Sequence, residues 1–525
     1  LRQCIQGIAL AVLLTTPAAA QLPEIGVPRG IVRFGIGGDF ANTSNQFFQG
    51  AEEPYRAPFA TSVLGTAYYP GLDSNQAQIA SLSGMPGYAL SVGGATMHAQ
   101  ASVGTLGLAA TVGLTSKLSV FGVVPIVRQQ VQVDYRFDST GANTGFNPAD
   151  PVFGSAAGAD SVNLFLAEYK AALDTLDLRL QTGFYSGNPS DSALAVATLV
   201  TGTAYWAGLN SLFVVPGAAA DFVPLAGSAA GQAMAAVVTG TQANLAALGV
   251  PSFTQPLPLP ADALTPSEYN SYLSSPGGPI VAAPIVSATS FLLGDIEVGA
   301  SYTLIDRWNR AGHPGGLRVV AQGLVRLPTG YQPLSNNFVS RPTGGGQTDL
   351  QISMVADIGG GKVGARFSGS YNDQLSLTSE RRVTLPSQPI PWANRLATVT
   401  TDPGNEFSLS ALPYFQMAPG FAIVGLVRYW SRGADAVAYA SADDAIPGVS
   451  AGELATGTQR SAMVVGGGLS YAPSGVGTRV GTRVPVDAFW IYEAVVSASG
   501  GVIPKAGTMR MGLRWPFRFW GAPAE

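Results

Sequence analysis

From Met509 to Trp520 hydrophobic and polar positions alternate without a break. Met509, Met511, Leu513, Trp515, Phe517 and Phe519 share one face, and Arg510, Gly512, Arg514, Pro516, Arg518 and Trp520 the other. A period of two belongs to a β-strand, whose successive side chains point to opposite sides. In a soluble sandwich the apolar side would look into a core. Here it ends in aromatics while arginine recurs opposite, which is the pattern of a transmembrane barrel strand with a lipid-facing outside and a polar lumen. The pattern repeats. Leu317, Val319, Ala321, Gly323, Val325 and Leu327 oppose Arg318, Gln322 and Arg326; Leu350, Ile352, Met354, Ala356 and Ile358 oppose Asp349, Gln351, Ser353 and Asp357. Ile296–Leu304, Val363–Tyr371 and Val131–Phe137 do the same, the last set against Gln130, Gln132, Asp134 and Arg136. Each run matches the ~9–11 residues that a tilted strand needs to cross a bilayer.

Twelve strands are predicted, near 30–41, 99–113, 117–137, 292–305, 316–329, 348–359, 362–374, 405–417, 420–432, 459–471, 486–499 and 505–520. An even count suits a closed barrel with both ends of the chain on the periplasmic side. Tight turns at 113–117, 359–362 and 418–420 then fall on that side, and the long stretches 42–98, 138–291, 330–347, 375–404 and 433–458 fall outside. The connections 472–485 and 500–504 break this rule. The expected fold class is all-β: a transmembrane antiparallel β-barrel of about twelve strands with a large helical extracellular insert. Its parts are a leader at 1–20, first strands at 21–137 enclosing the loop 42–98, a mainly helical apolar insert at 138–291, and the remaining strands at 292–525.

Within the insert, Asp160-Ser161 are placed to cap a helix carrying Val162, Phe165, Leu166, Tyr169, Leu173, Leu176 and Leu180 at helical spacing, ended by Gly183. Ala193–Val215 and Ala229–Leu248 read as Ala-rich helices, and the proline cluster 251–260 as an extended segment. From Ser192 to Gly294 the only charged residues are Asp221, Asp262 and Glu268. Three readings of the insert stay open: a surface cap whose helices pack on one another, an apolar collector of hydrophobic compounds at the barrel mouth, or a membrane helix within 193–215.

The N-terminal residues agree with export. Arg2 precedes the apolar run Ile5–Leu14, and Ala18-Ala19-Ala20-Gln21 supplies a small-residue cleavage site after Ala20. Cys4, the only cysteine, lies in that leader, so the mature chain would hold no disulfide and no thiolate site. Charged residues make up only 11% of the chain and the net charge is −4. With no basic patch interleaved with aromatics, nucleic acid is not an expected partner. His98 and His313 are the only histidines and neither has converging ligands in sequence, so no metal or cofactor is expected. Gly359-Gly360-Gly361-Lys362 lacks the spacing of a phosphate loop and reads as a hairpin turn. His98 with Ser102 is the one loose hydrolytic pair, ~13 Å apart on a strand, and no enzymatic activity is expected.

Several segments carry a family likeness. Gly113-Leu114-Thr115-Ser116-Lys117-Leu118 leads to Val124-Pro125-Ile126-Val127; Leu293-Gly294-Asp295-Ile296-Glu297-Val298, Val325-Arg326-Leu327-Pro328-Thr329-Gly330 and Thr343-Gly344-Gly345-Gly346-Gln347-Thr348-Asp349 follow. The chain resembles, over about 100–138 and 290–520, the outer-membrane barrels named for the meta-pathway of phenol degradation, distant relatives of FadL-type hydrophobic-compound channels. The resemblance implies an outer-membrane barrel that passes small hydrophobic or aromatic solutes, and it brings no catalytic set. Outer-membrane lipid, such solutes, and the barrel-assembly machinery through the C-terminal strand are the partners expected.

If alternation holds, Arg318, Arg326, Arg366, Arg428, Arg432, Arg510, Arg514 and Arg518 point inward, opposite Asp295, Glu297, Asp349 and Asp357. They would form ion pairs bracing neighbouring strands, or a constriction that sets charge preference.

Overall fold

The computed structural model describes residues 27–520 apart from 70, 218, 252, 309–314, 386–387, 389, 391–394, 419 and 473–485. The leader with Cys4, Ala18, Ala20 and Gln21, then His313 and the long connection at 473–485, lie outside the described residues. Twelve strands close into an antiparallel barrel. They are β1 Ile31–Thr43, β2 Gly94–Gly113, β3 Leu118–Asp138, β4 Glu297–Asp306, β5 Gly315–Arg326 and β6 Asp349–Gly360. β7 Val363–Gln374, β8 Glu406–Ala418, β9 Phe421–Arg432, β10 Arg460–Tyr471, β11 Asp487–Gly500 and β12 Gly507–Arg518 complete it. Each strand pairs with its neighbour in sequence, and closure is made by β1, which pairs with both β12 and β2. An extra arm, Ala288–Leu293, leads into β4 and also pairs with β3. All twelve predicted strands are present within a few residues.

The outside of this barrel carries a belt of large apolar side chains left open to the surroundings, among them Phe34, Leu108, Ile352, Phe367, Ile423, Trp490, Leu513 and Phe517. Exposed apolar surface on this scale is a lipid-facing wall. The belt has an upper limit. On β3 the outward row runs Val120, Val124 and Ile126 and then changes to Arg128, Gln130, Gln132, Asp134 and Arg136. The inward row at that height is Val127, Val131, Val133, Tyr135 and Phe137, packed in one core with the insert. Polarity therefore inverts along a single strand, and β2 inverts with it: Ala95, Met97, Ala99, Ala101 and Val103 point in, while Thr96, His98 and Gln100 point out. The Val131–Phe137 run, expected to face lipid, faces a protein core instead. Alternation shows that a strand has two sides but not which solvent each side meets.

The insert forms a roof on the long-loop end. Its helices are α2 Ala156–Gln181, α3 Pro189–Phe213, α4 Ala229–Ala247 and α5 Pro266–Ser274, joined by α1 Leu72–Ser83 from the β1–β2 connection. α2 begins earlier than Asp160-Ser161 would set it: the Ser155 side chain accepts from the Gly158 amide, and Ser161 turns back onto the Ala157 carbonyl. Gly183 sits just past its end at φ 73°, a conformation that favours glycine. Asn188 with Pro189, Ser228 and the Thr265/Glu268 capping box start the next three helices. Their buried faces meet β2, β3 and distant loops in one cluster that extends to Phe338, Ile390 and Ala506. The roof thus spans the mouth. Arg382, in the connection between β7 and β8, ties that connection to the roof by donating to the carbonyls of Ile280 and Val281.

Candidate functional site

Below the roof, the inward positions of β4 to β12 form three tiers. The top tier crosses seven consecutive strands, in register except for a two-residue step between β6 and β7. Arg326 stands between Glu297 and Asp349, donating to Glu297 at 3.1 Å and to Asp349. Asn372 also donates to Asp349 at 3.3 Å. Glu406 lies across from Asn372 and Arg432, and Arg432 across from Arg460. Arg432 turns to Asp435 at 2.7 Å, while Arg460 stacks over the Trp430 ring at 5.7 Å. Four acids, Asp435 among them, thus stand with three arginines in this tier.

The middle tier is one buried acid between two arginines. Glu493 receives Arg428 at 2.7 Å and Arg510 at 2.8 Å. Asp39 lies cross-strand from Arg510. Gly466, opposite Glu493, is what admits the carboxylate stem: a Cβ there would come within 2.8 Å of the Glu493 Cβ. At the bottom, Arg366 pairs with Asp357 at 2.7 Å and Arg318 with Asp306 at 3.2 Å. Arg514 stacks over Phe489 at 5.7 Å across from Asp487, and Phe489 lies flat over Gly512 where any Cβ would collide with it.

Of the predicted inward residues, Asp295, Glu297, Arg318, Arg326, Asp349, Asp357, Arg366, Arg428, Arg432, Arg510 and Arg514 fall within these tiers or beside them. Arg518 stands exposed at the end of β12, opposite Ile31. Asp295 has a separate task. Its carboxylate accepts from the amides of Gly330 at 2.8 Å and Gly345 at 3.3 Å, while Thr329 donates to the Gly294 carbonyl at 2.9 Å and Thr343 to that of Leu293 at 2.6 Å. The three segments 293–298, 325–330 and 343–349 therefore converge on one seam. It closes the wall where the 288–293 arm has no strand on its second edge. Glu493, Asp435 and Glu406 were not singled out from sequence, although each lies on the inward parity of its strand or just beyond its end; Asp306 has the outward parity of β4 and reaches Arg318 only because the register shifts at Leu304.

Between the upper and middle tiers lies a chamber with about 1200 Å³ of empty space. Its two sides differ. β5 to β8 contribute Gln322, Gln351, Ser353, Ser368, Ser370 and Ser410, with Ser353 donating to Gln322 at 3.3 Å and the Ser368 and Ser410 hydroxyls 2.6 Å apart. The other side presents Leu412, Leu426, Phe489 and Ile491, which pack together, with Trp430 above them. Glu297, Glu406, Arg428, Glu493 and Arg510 of the adjoining tiers also line it. An apolar wall facing hydrogen-bonding groups suits a small molecule with an apolar body and a polar edge.

The roof core holds its own polar network. The Tyr269 hydroxyl meets those of Tyr69 at 2.6 Å and Tyr135 at 2.8 Å, and Phe137 stacks on the Tyr269 ring at 4.2 Å. Burial pushes the Asp221 carboxyl up to about 6, Asp150 adds repulsion, and a 3.4 Å hydrogen bond from Tyr272 works in the other direction. Asn147 donates to the Phe213 and Ala220 carbonyls at 2.9 Å each and so joins α3 to its following loop. His98 and Ser102 both face outward on β2, His98 opposite Asp134 and Ser102 opposite Gln130. Among the described residues no cluster of three or more His, Cys, Asp or Glu is placed to hold a metal ion.

No family model matches the chain, and no curated protein matches it in sequence. Among solved structures, an outer membrane channel from Pseudomonas putida F1 is 8% identical, covering 94% of this chain and 97% of that one at a TM-score of 0.40. The translocator domain of autotransporter NalP from Neisseria meningitidis is 7% identical, with 97% and 95% covered at 0.29. The CymD monoaromatic hydrocarbon channel is 12% identical, with 98% and 93% covered at 0.24. Scores this low distinguish no function among barrels.

Proposed function

We propose that the chain is an outer-membrane channel for passive uptake of small hydrophobic, including aromatic, compounds. The observation that supports this reading is the two-sided chamber: an apolar wall of Leu412, Leu426, Trp430, Phe489 and Ile491 under a roof, with Glu493 beside it held between Arg428 and Arg510. A general diffusion pore needs an open polar lumen, whereas here the mouth is spanned by a roof with an apolar core. An apolar solute entering the chamber loses little, since one whole wall offers it dispersion contacts. The chain would reach the membrane through the assembly machinery that reads its last strand, with the leader removed after Ala20.

The test is reconstitution of residues 21–525 in planar bilayers and in liposomes. Low ion conductance together with faster entry of a small aromatic than into protein-free liposomes is the expected result. Replacing Leu426 by Asp in the apolar wall should slow that entry. A large steady current in the intact chain would overturn the proposal in favour of an open porin. No entry above the protein-free rate would overturn it in favour of a structural or adhesive surface protein.

A further inference from the structure

The outward faces of β1, β2, β3 and the 288–293 arm change character in register as the wall rises. One row reads Gly38, Leu106, Ile126 and Leu293. The next reads Phe40, Gly104, Arg128 and Phe291, with Phe291 69% exposed and Phe40 42% exposed. Above it stand Asn42, Ser102, Gln130 and Thr289, and then Gln100 and Gln132. Apolar rows thus give way to an aromatic row holding one arginine, and then to two rows of uncharged amides and hydroxyls. Aromatic side chains bracketing a cation mark the depth at which acyl chains meet headgroups.

At this height the outer wall is concave. A cavity with about 660 Å³ of empty space opens there, lined by Phe40, Asn42, Ser44, Gln100, Gln130 and Gln132. Gly104 has no side chain, which leaves a gap in the wall between Phe40 and Arg128. Arg128 donates to Gln130 at 3.1 Å and so stands beside the cavity. No carboxylate is among the described residues lining it. The contrast lies higher on the same strand, where Asp134 and Arg136 pair at 2.8 Å as charges on an ordinary solvated face do. An uncharged amide and hydroxyl lining next to an arginine is the chemistry that recognises sugar hydroxyls flanking a phosphate.

We infer that this external cavity binds the phosphorylated saccharide headgroup of an outer-leaflet glycolipid. Arg128 takes a phosphate, the amide rows take sugar hydroxyls, and Phe40 and Phe291 flank the junction with the acyl chains. The inference rests on the outer-membrane reading and is independent of which solute passes through the lumen.

The refolded chain in detergent would be titrated with rough lipopolysaccharide, with its dephosphorylated form and with phosphatidylglycerol, following bound lipid by native mass spectrometry. The variants are Arg128→Gln and the triple Gln100→Ala/Gln130→Ala/Gln132→Ala, each shown to fold by heat-modifiable gel mobility. The wild type should bind the phosphorylated glycolipid about tenfold more tightly than either other lipid, and each variant should lose about that factor. Equal binding by wild type and both folded variants, or equal binding of phosphatidylglycerol, would overturn the proposal and leave only unselective annular lipid. Displacement by millimolar inorganic phosphate would also overturn it, assigning the cavity to a free anion. Solute entry measured on the same variants should be unchanged, so failure here is read apart from failure of the channel reading.

Discussion

Changing Val131 to Gln tests the inversion of polarity on β3 directly. Val131 is 3% exposed and belongs to the roof core, whereas its neighbour Gln132 is exposed on the outer side. Removing the buried valine forfeits about 1.5–3 kcal/mol of apolar burial. An amide left without partners there adds about 1–3 kcal/mol, so the roof should lose roughly 2.5–6 kcal/mol in all. The reverse change on the other side, Gln132→Val, should stay within about 0.5 kcal/mol. Trypsin supplies the assay. Lys170 and Arg179, both in α2, are the only basic residues between Arg136 and Arg307, so cleavage in this span reports opening of the roof. Where closing outpaces cutting, 3 kcal/mol corresponds to cleavage more than about a hundredfold faster. Val131→Gln should therefore be nicked rapidly in α2 while the barrel keeps its folded gel mobility. Opening of the roof by Gln132→Val, or loss of membrane insertion in Val131→Gln, would refute the inversion.

Leu513→Arg places a cation in lipid at a cost of about 2–4 kcal/mol; it should depress folded yield in bilayers far more than Arg514→Leu, and similar yields would contradict the face assignment. Glu493→Gln strands Arg428 and Arg510 together, and the midpoint of urea unfolding in detergent should fall by the equivalent of about 3 kcal/mol. Asp221 has its carboxyl raised in the folded roof to about 6 from 3.8. Its contribution is therefore complete below pH 4 and is lost as pH rises through 6, so amide hydrogen exchange in the roof should be slower at pH 5 than at pH 7 after correction for intrinsic rates. Asp221→Asn should flatten that dependence and stabilise the roof at pH 7 by at most about 3 kcal/mol. Tyr269→Phe removes the hydroxyl shared by Tyr69 and Tyr135 and should cost the roof about 1–3 kcal/mol, read by the same tryptic cleavage.

The strand count, the order of the strands and the presence of a helical insert were legible in the chain because each depends on a local period. What periodicity could not supply was the medium on either side. Val131 and Val320 sit in similar alternating runs, yet each is buried inward, one against the roof and one in the lumen wall. The helices α1 and α5 escaped notice because their turns are rich in Ser, Asn and Gln and gain their hold from tertiary contacts such as Tyr269 and Ile79. The ion pairs were half legible. Parity groups the arginines of a strand on one face, but on β3 that face points outward with Arg136, and the partners of the others depend on register, which depends on bulges such as those near Val319 and Met463. The chamber was not legible at all. Its apolar wall is made of inward residues from β8, β9 and β11 that resemble any other strand position until the barrel closes.

The roof core has a consequence for the order in which the molecule can mature. It draws on Ala41 near the start of the barrel, on the insert, and on Ala506 beside the last strand. Contacts so far apart in sequence cannot form until the ends of the sheet have met, because the loop-closure entropy is recovered only then. A chain that has inserted but not closed would present the inner faces of β2 and β3, Ala95 to Val103 and Val127 to Phe137, as bare apolar surface. Completion of the roof is in this sense the molecule's own record that its barrel has shut. Excising the insert would leave those inner faces bare even in a barrel that β1 and β12 have closed.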